Sequence, residues 1–132
     1  MVRPFAIVFG TLYLLLGMAG LVRHGLGSGS SFLFGLLEVS GLHNLAYLAL
    51  GVAGVAAYVM GEKASHQYAW WVGAVLIVLG ALGLVSADLF GLMPIGGFNI
   101  LLHLATGVLA LYFAYAARND AEERSGEPVT ER

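Results

Sequence analysis

Two stretches of this chain are copies of one another, and each copy carries long apolar segments, so the fold has to be built twice from the same helical parts. Leu33-Phe34-Gly35-Leu36, Gly41, Leu45, Leu48-Ala49 and Gly51-Val52 recur as Leu89-Phe90-Gly91-Leu92, Gly97, Leu101, Leu104-Ala105 and Gly107-Val108. Every partner lies 56 positions on, and half of the residues from Leu33 to Val52 are identical to their partners. Upstream, Gly10, Gly17 and Gly20 followed by Leu-Val correspond to Gly73, Gly80 and Gly83 followed by Leu-Val, now at a shift of 63. The mismatch between the two shifts falls in the loop after the first apolar segment, where Gly25–Ser31 reads as a flexible insert that the second copy lacks.

The solvent these copies expect is lipid. Of the 132 residues, 59% are hydrophobic and 11% charged, and the mean hydropathy is +0.85. Soluble domains carry roughly a quarter charged residues. Four segments, near residues 4–22, 42–60, 68–87 and 98–117, are long enough to span a bilayer as helices and hold no Asp, Glu, Lys or Arg in their interiors. The expected fold is therefore all-α, an integral membrane four-helix bundle of two tandem hairpin repeats. A two-helix unit returns the chain to its starting side, so both copies point the same way, about a pseudo-two-fold axis along the membrane normal.

Glycines at i, i+7 and i+10 share one helix face and let backbones approach closely, which is how membrane helices pack. Gly10, Gly17 and Gly20, with Gly73, Gly80 and Gly83, are thus expected to mark the seams. Gly51, Gly54 and Ala57 form a similar face on the second segment, and Gly107, Ala110 and Ala114 on the fourth.

Arg3, Lys63, Arg118, Arg124 and Arg132 fall on one side of such a bundle, and Arg23 alone on the other. The positive-inside bias then puts both termini in the cytoplasm. Phe5, Tyr58, Tyr68, Trp70, Trp71, Tyr112 and Tyr115 are placed at the cytoplasmic boundary. The first segment superficially resembles a signal peptide but has a relative later in the chain, so it reads as a retained helix. Residues 1–117 form the membrane domain, and 118–132, polar and without apolar periodicity, read as a disordered cytoplasmic tail.

The unusual residues open the second helix of each copy: His43, Asn44 and Tyr47 in one, Asn99 and His103 in the other. Under the repeat, His43 pairs with Asn99, Tyr47 with His103 and Gly51 with Gly107, each set at i, i+4, i+8 along one face. In a first reading these side chains hydrogen-bond across helices and fix the bundle. In a second they line an outward-facing polar pocket for a small ligand or lipid headgroup. In a third, His43 and His103 ligate a haem or a metal, although no Cys exists and no further Glu or Met completes a ligand set. Glu38 and Asp88 flank the same end as solvated caps, or would make the pocket acidic if they faced inward. His24 and His66 read as exposed loop residues.

The absences also count. The expected midplane is Leu, Val, Gly and Ala, without the ionisable residue that proton- or ion-coupled transport uses. No nucleophile elbow, phosphate loop or zinc-protease motif occurs, and six scattered basic residues suggest no nucleic-acid partner.

The motifs His-Asn-x-x-Tyr-x-x-x-Gly (His43 to Gly51) and Asn-x-x-x-His-x-x-x-Gly (Asn99 to Gly107), set in four short helices, resemble the bacterial membrane proteins grouped as domain of unknown function 4383. The resemblance covers roughly residues 3–117 and implies the four-helix fold and membrane location, with no assigned activity. The family has His at the middle motif position, where this chain has Tyr47 in the first copy and keeps His103 in the second. The expected function is a non-enzymatic structural or accessory subunit of a membrane assembly, as a homo-oligomer or within a larger complex, with no cofactor. The alternatives are a ligand-, lipid- or haem-binding protein using the polar cluster, and an oligomeric transporter.

Overall fold

The computed structural model describes residues 1–126. Four helices, α1 (Val2–Arg23), α2 (Gly41–Met60), α3 (Glu62–Val85) and α4 (Phe98–Ser125), make an all-α four-helix arrangement. Between α1 and α2 lies one small antiparallel hairpin, β1 (Ser30–Leu33) and β2 (Leu37–Ser40). Each of the four helices is long and apolar enough to cross a membrane. Leu15, Val22, Val59, Val78, Leu101 and Val108 point outward, where a water-soluble bundle would place polar side chains.

α1 packs chiefly on α2 and α3 chiefly on α4, so each copy of the repeat is a helical hairpin. Glycine sets how closely the helices approach. A Cβ built on Gly10 would lie 2.9 Å from both Gly51 O and Val55 N, and one on Gly73 would lie 3.0 Å from Leu111 N. Val55 and Leu111 are partners at the 56-residue shift. Gly17 faces Leu48 as Gly80 faces Leu104, and Gly51 faces Leu14 as Gly107 faces Ile77. In every case both residues move by the repeat's own two shifts. The two hairpins thus share one seam chemistry, and no side chain larger than hydrogen fits there.

The hairpins meet at two levels. At the end holding Gly61, Ser65 Oγ donates to Ala57 O at 3.1 Å and Tyr68 Oη donates to Leu50 O at 2.8 Å. Gly54 leaves the space that the Tyr68 hydroxyl fills. Phe5, Phe9 and Tyr13 stack successively along α1, and Phe5 also stacks on Phe113 of α4, with centroids 5.1 Å apart. Phe5 and Tyr68 are therefore core residues rather than boundary aromatics, whereas Trp70, Trp71, Tyr112 and Tyr115 do stand exposed.

The Leu-Phe-Gly-Leu motif folds alike in both copies. Leu36 N–H donates to Leu33 O and Leu92 N–H to Leu89 O, closing turns with left-handed central residues: Phe34 and Gly35 at φ 54° and 69°, Phe90 and Gly91 at 58° and 87°. In the first copy the turn joins two strands, because Leu33, Leu37 and Val39 alternate inward and plug the mouth of the bundle. Ser30 and Ser31, expected in a flexible insert, are part of β1.

Helix limits shift for local reasons. α3 starts at Glu62 rather than Tyr68, so Lys63 and His66 are helical instead of lying in a loop. It stops at Val85 rather than Ala87, since Ser86 Oγ accepts from Phe90 N–H and starts the turn. α4 continues past Ala117 to Ser125, with an Arg118–Glu122 i,i+4 pair at 2.9 Å on its polar turns. Residues 118–125 are thus helical where a disordered tail was expected, and 127–132 lie outside the described residues.

Glycine-to-alanine exchange tests the seam. Gly10→Ala and Gly73→Ala are each expected to lower stability by about 1–3 kcal/mol through overpacking, whereas Gly27→Ala, with nothing within 4 Å, is expected to leave it unchanged. Unfolding in mild detergent, followed by circular dichroism, measures the difference.

Candidate functional site

The inward faces of α2 and α4 carry the polar residues that the repeat singles out. Ser40 Oγ accepts the His43 backbone N–H and so caps α2. One turn on, Tyr47 follows His43; on α4, Asn99, His103 and Thr106 stand at i, i+4 and i+7. His43, Asn44 and Asn99 are 0% exposed and His103 1%. The His43 and His103 rings, one from each hairpin, are nearly parallel with centroids 6.1 Å apart. Tyr47 lies 5.2 Å from the His43 ring and, on its other side, 5.2 Å from Tyr13.

Tyr13 and Thr106 complete the cluster, and sequence reasoning missed both. The Thr106 hydroxyl donates to Leu102 O and therefore accepts from Tyr13 Oη, 3.1 Å away, linking α4 to α1. Signals for both existed. Thr106 extends the Asn99–His103 face and replaces Leu50 of the first copy, while Tyr13 sits between Gly10 and Gly17 on the seam of α1.

Two kinds of polar residue separate here. The asparagines bind backbone. Asn44 Nδ2 donates to Gly25 O at 2.8 Å and fastens the loop after α1. Asn99 Nδ2 donates to Glu38 O at 2.7 Å and Pro94 O at 2.9 Å, carbonyls at equivalent positions of the two copies, so one amide ties both loops to α4. The rings do not cross-link. Both nitrogens of His43, Nδ1 of His103 and the Tyr47 hydroxyl have no hydrogen-bond partner among the described residues, and neither do Oδ1 of Asn44 and Asn99. An unpaired buried polar group costs about 1–3 kcal/mol, so the imidazoles and Tyr47 add nothing as cross-links and present free donor and acceptor capacity inside the bundle.

Glu38 and Asp88 share an outer cleft of about 290 Å³ with Ser30 and Ser40. Glu38, half-buried on β2, accepts from Ser30 Oγ. Asp88 is exposed and accepts from Ser86 Oγ at 2.9 Å. That bond first, then the backbone amides of its own turn, hold the Asp88 carboxyl below the usual carboxylate range. His24 is half-buried rather than exposed, its Nδ1 2.9 Å from Ser31 Oγ. His66, also half-buried, lines a cleft with Lys63, Arg118 and Glu122.

The division of labour can be measured. Asn99→Leu is expected to lower stability by about 1–3 kcal/mol, because two carbonyls lose their donor. His43→Leu and His103→Leu are expected to stay within about 1 kcal/mol of the parent or to exceed it, since they remove unpaired buried nitrogens at similar volume. Chemical unfolding in detergent distinguishes the two classes. Losses for the His variants as large as for Asn99→Leu would make the rings cross-links after all.

The profile described as domain of unknown function (DUF4383) fits residues 3–116, taking in the turn motifs, the glycine seams and the whole polar cluster. No curated protein and no solved structure matches the chain. With four membrane-length helices and a profile match over most of its length, this small multi-pass membrane protein belongs to the family of the domain of unknown function DUF4383.

Proposed function

We propose that the protein is a non-enzymatic accessory subunit of an assembly in the bacterial cell membrane, with both termini in the cytoplasm. The observation that best supports this is a groove of about 420 Å³ between α1 and α4, lined by Phe5, Val8, Phe9 and Leu12 on one side and Leu109 and Phe113 on the other. Within each hairpin glycines bring backbones together. Between α1 and α4 contacts are sparse, and apolar side chains border an unfilled seam. Membrane helices associate by close packing rather than by a hydrophobic drive, so a groove of this shape suits a helix from a second copy or from a partner subunit. The orientation rests on Arg3, Lys63, Arg118 and Arg124 lying at the end that holds the N-terminus, against Arg23 at the other.

A non-catalytic role fits the hydroxyls around the histidines. Ser40 Oγ accepts the His43 backbone N–H and Thr106 donates to Leu102 O, so both neighbouring aliphatic hydroxyls are engaged in helix-backbone bonds. Haem is not part of this reading: a macrocycle seated between the enclosed His43 and His103 rings would have to displace Tyr47 and Tyr13. A second reading, binding of a small polar molecule in the bundle, is favoured specifically by the unpartnered His43, Tyr47 and His103 atoms.

The absence of cysteine makes the groove easy to interrogate. In native membranes, Leu12→Cys and Leu109→Cys labelled with a photoactivatable maleimide are expected to cross-link on illumination to a second copy or to a partner subunit, while Val75→Cys, on the outer face of α3, is expected to give no protein cross-link. Groove positions that give no protein cross-link on illumination would contradict the subunit reading.

A further inference from the structure

The copies differ most at the end of the bundle that carries β1 and β2. There the longer loop of the first copy folds as a hairpin, whereas the second copy has only its turn, and Ser86 stands where the first copy has Arg23. The hairpin borders the last turn of α1, so that Ala19, Val22, Arg23, Phe32, Leu33 and Phe34 line a cleft of about 610 Å³. Arg23 is its one charged residue and forms no ion pair among the described residues. Leading to it, Leu15, Met18 and Val22 are exposed at i, i+3 and i+7, a single stripe of α1 along which a hydrocarbon chain can lie. Phe34 stays 79% exposed although its left-handed backbone costs a bulky residue about 1–2 kcal/mol. The turn is strained so as to hold an aromatic ring outward at this level.

We propose that this cleft binds the phosphodiester headgroup of an anionic membrane phospholipid, with Arg23 as its anchor. An acyl chain on the Leu15–Met18–Val22 stripe brings its phosphate to the last turn of α1. There a guanidinium offers the paired donors that phosphate oxygens accept bidentately. Phe32 and Phe34 cover the glycerol region between head and chain, in the interfacial zone where aromatic rings prefer to sit. Glu38 and Asp88 line a different cleft and leave the charge of this one positive. The second copy repeats the exposed turn, with Phe90, but has no cation beside it, so the site is single and belongs to the first copy.

Native mass spectrometry of the full-length protein in mild detergent, titrated with phosphatidylglycerol or phosphatidylcholine of identical acyl chains, tests the proposal. Phosphatidylglycerol is expected to be retained in preference, as one tightly held molecule. Arg23→Gln is expected to weaken its retention about tenfold, the size of one charge-assisted contact. Arg23→Lys should keep part of it, Phe34→Ser should weaken it, and Arg118→Gln at the opposite end should leave it unchanged. Equal retention by Arg23→Gln with its helicity intact, or no preference between the two lipids, overturns the proposal. Displacement by inorganic phosphate at comparable concentration would assign the cleft to a soluble anion and overturn the lipid assignment. Neither result bears on the α1–α4 groove.

Discussion

Close approach of helix backbones at glycine is the constraint on which the rest of this structure depends. In lipid the apolar side chains of a helix gain little by facing another helix instead of an acyl chain, so association rests on contact made at short range. Gly10 against Gly51 and Val55, and Gly73 against Leu111, bring main chains within a distance that a single methyl group would prevent. Each hairpin is therefore a tight unit with its own seam. The units meet less closely, through Ser65 and Tyr68 at one end, a run of aromatics along α1, and a polar core at the other end.

That polar core holds two jobs that sequence chemistry alone does not separate. Asn44 and Asn99 close the loops onto the helices by satisfying carbonyls, and Asn99 does so for both copies at once. His43, Tyr47 and His103 lie beside them, equally buried, yet both nitrogens of His43, Nδ1 of His103 and the Tyr47 hydroxyl bind no protein group among the described residues. Such residues inside a bundle carry a desolvation cost that no hydrogen bond among the described residues offsets, and the proposal of a bound small polar molecule rests on that observation.

Much of this was readable in the sequence where one residue type has one physical use. Glycine at i, i+7 and i+10 on a membrane helix means close approach, and those positions form the seams, with Gly20 set against the Asn44 side chain. Polar residues at i and i+4 on an otherwise apolar helix have to face inward, and His43, Asn99 and His103 do. Other features depend on tertiary context. Gly25–Ser31 reads as flexible because its composition is Gly and Ser, yet Ser30 and Ser31 pair with β2 since Leu33, Leu37 and Val39 need the mouth of the bundle. Arg118 and Glu122 read as solvated tail residues, and their i,i+4 pairing on a continuing helix shows only once the backbone is placed. Whether a buried amide finds a carbonyl, as Asn99 does, or a ring finds nothing, as His43 does, is set by loops far away in the chain.

The proposed role as a subunit of a larger assembly rests on the open groove between α1 and α4. The mass of the intact particle released from native membrane vesicles, read by mass spectrometry without prior cross-linking, tests that view most directly. The expected particle contains more than one 13.9 kDa chain, or this chain with a second membrane subunit. A particle holding a single copy and lipid alone would contradict it.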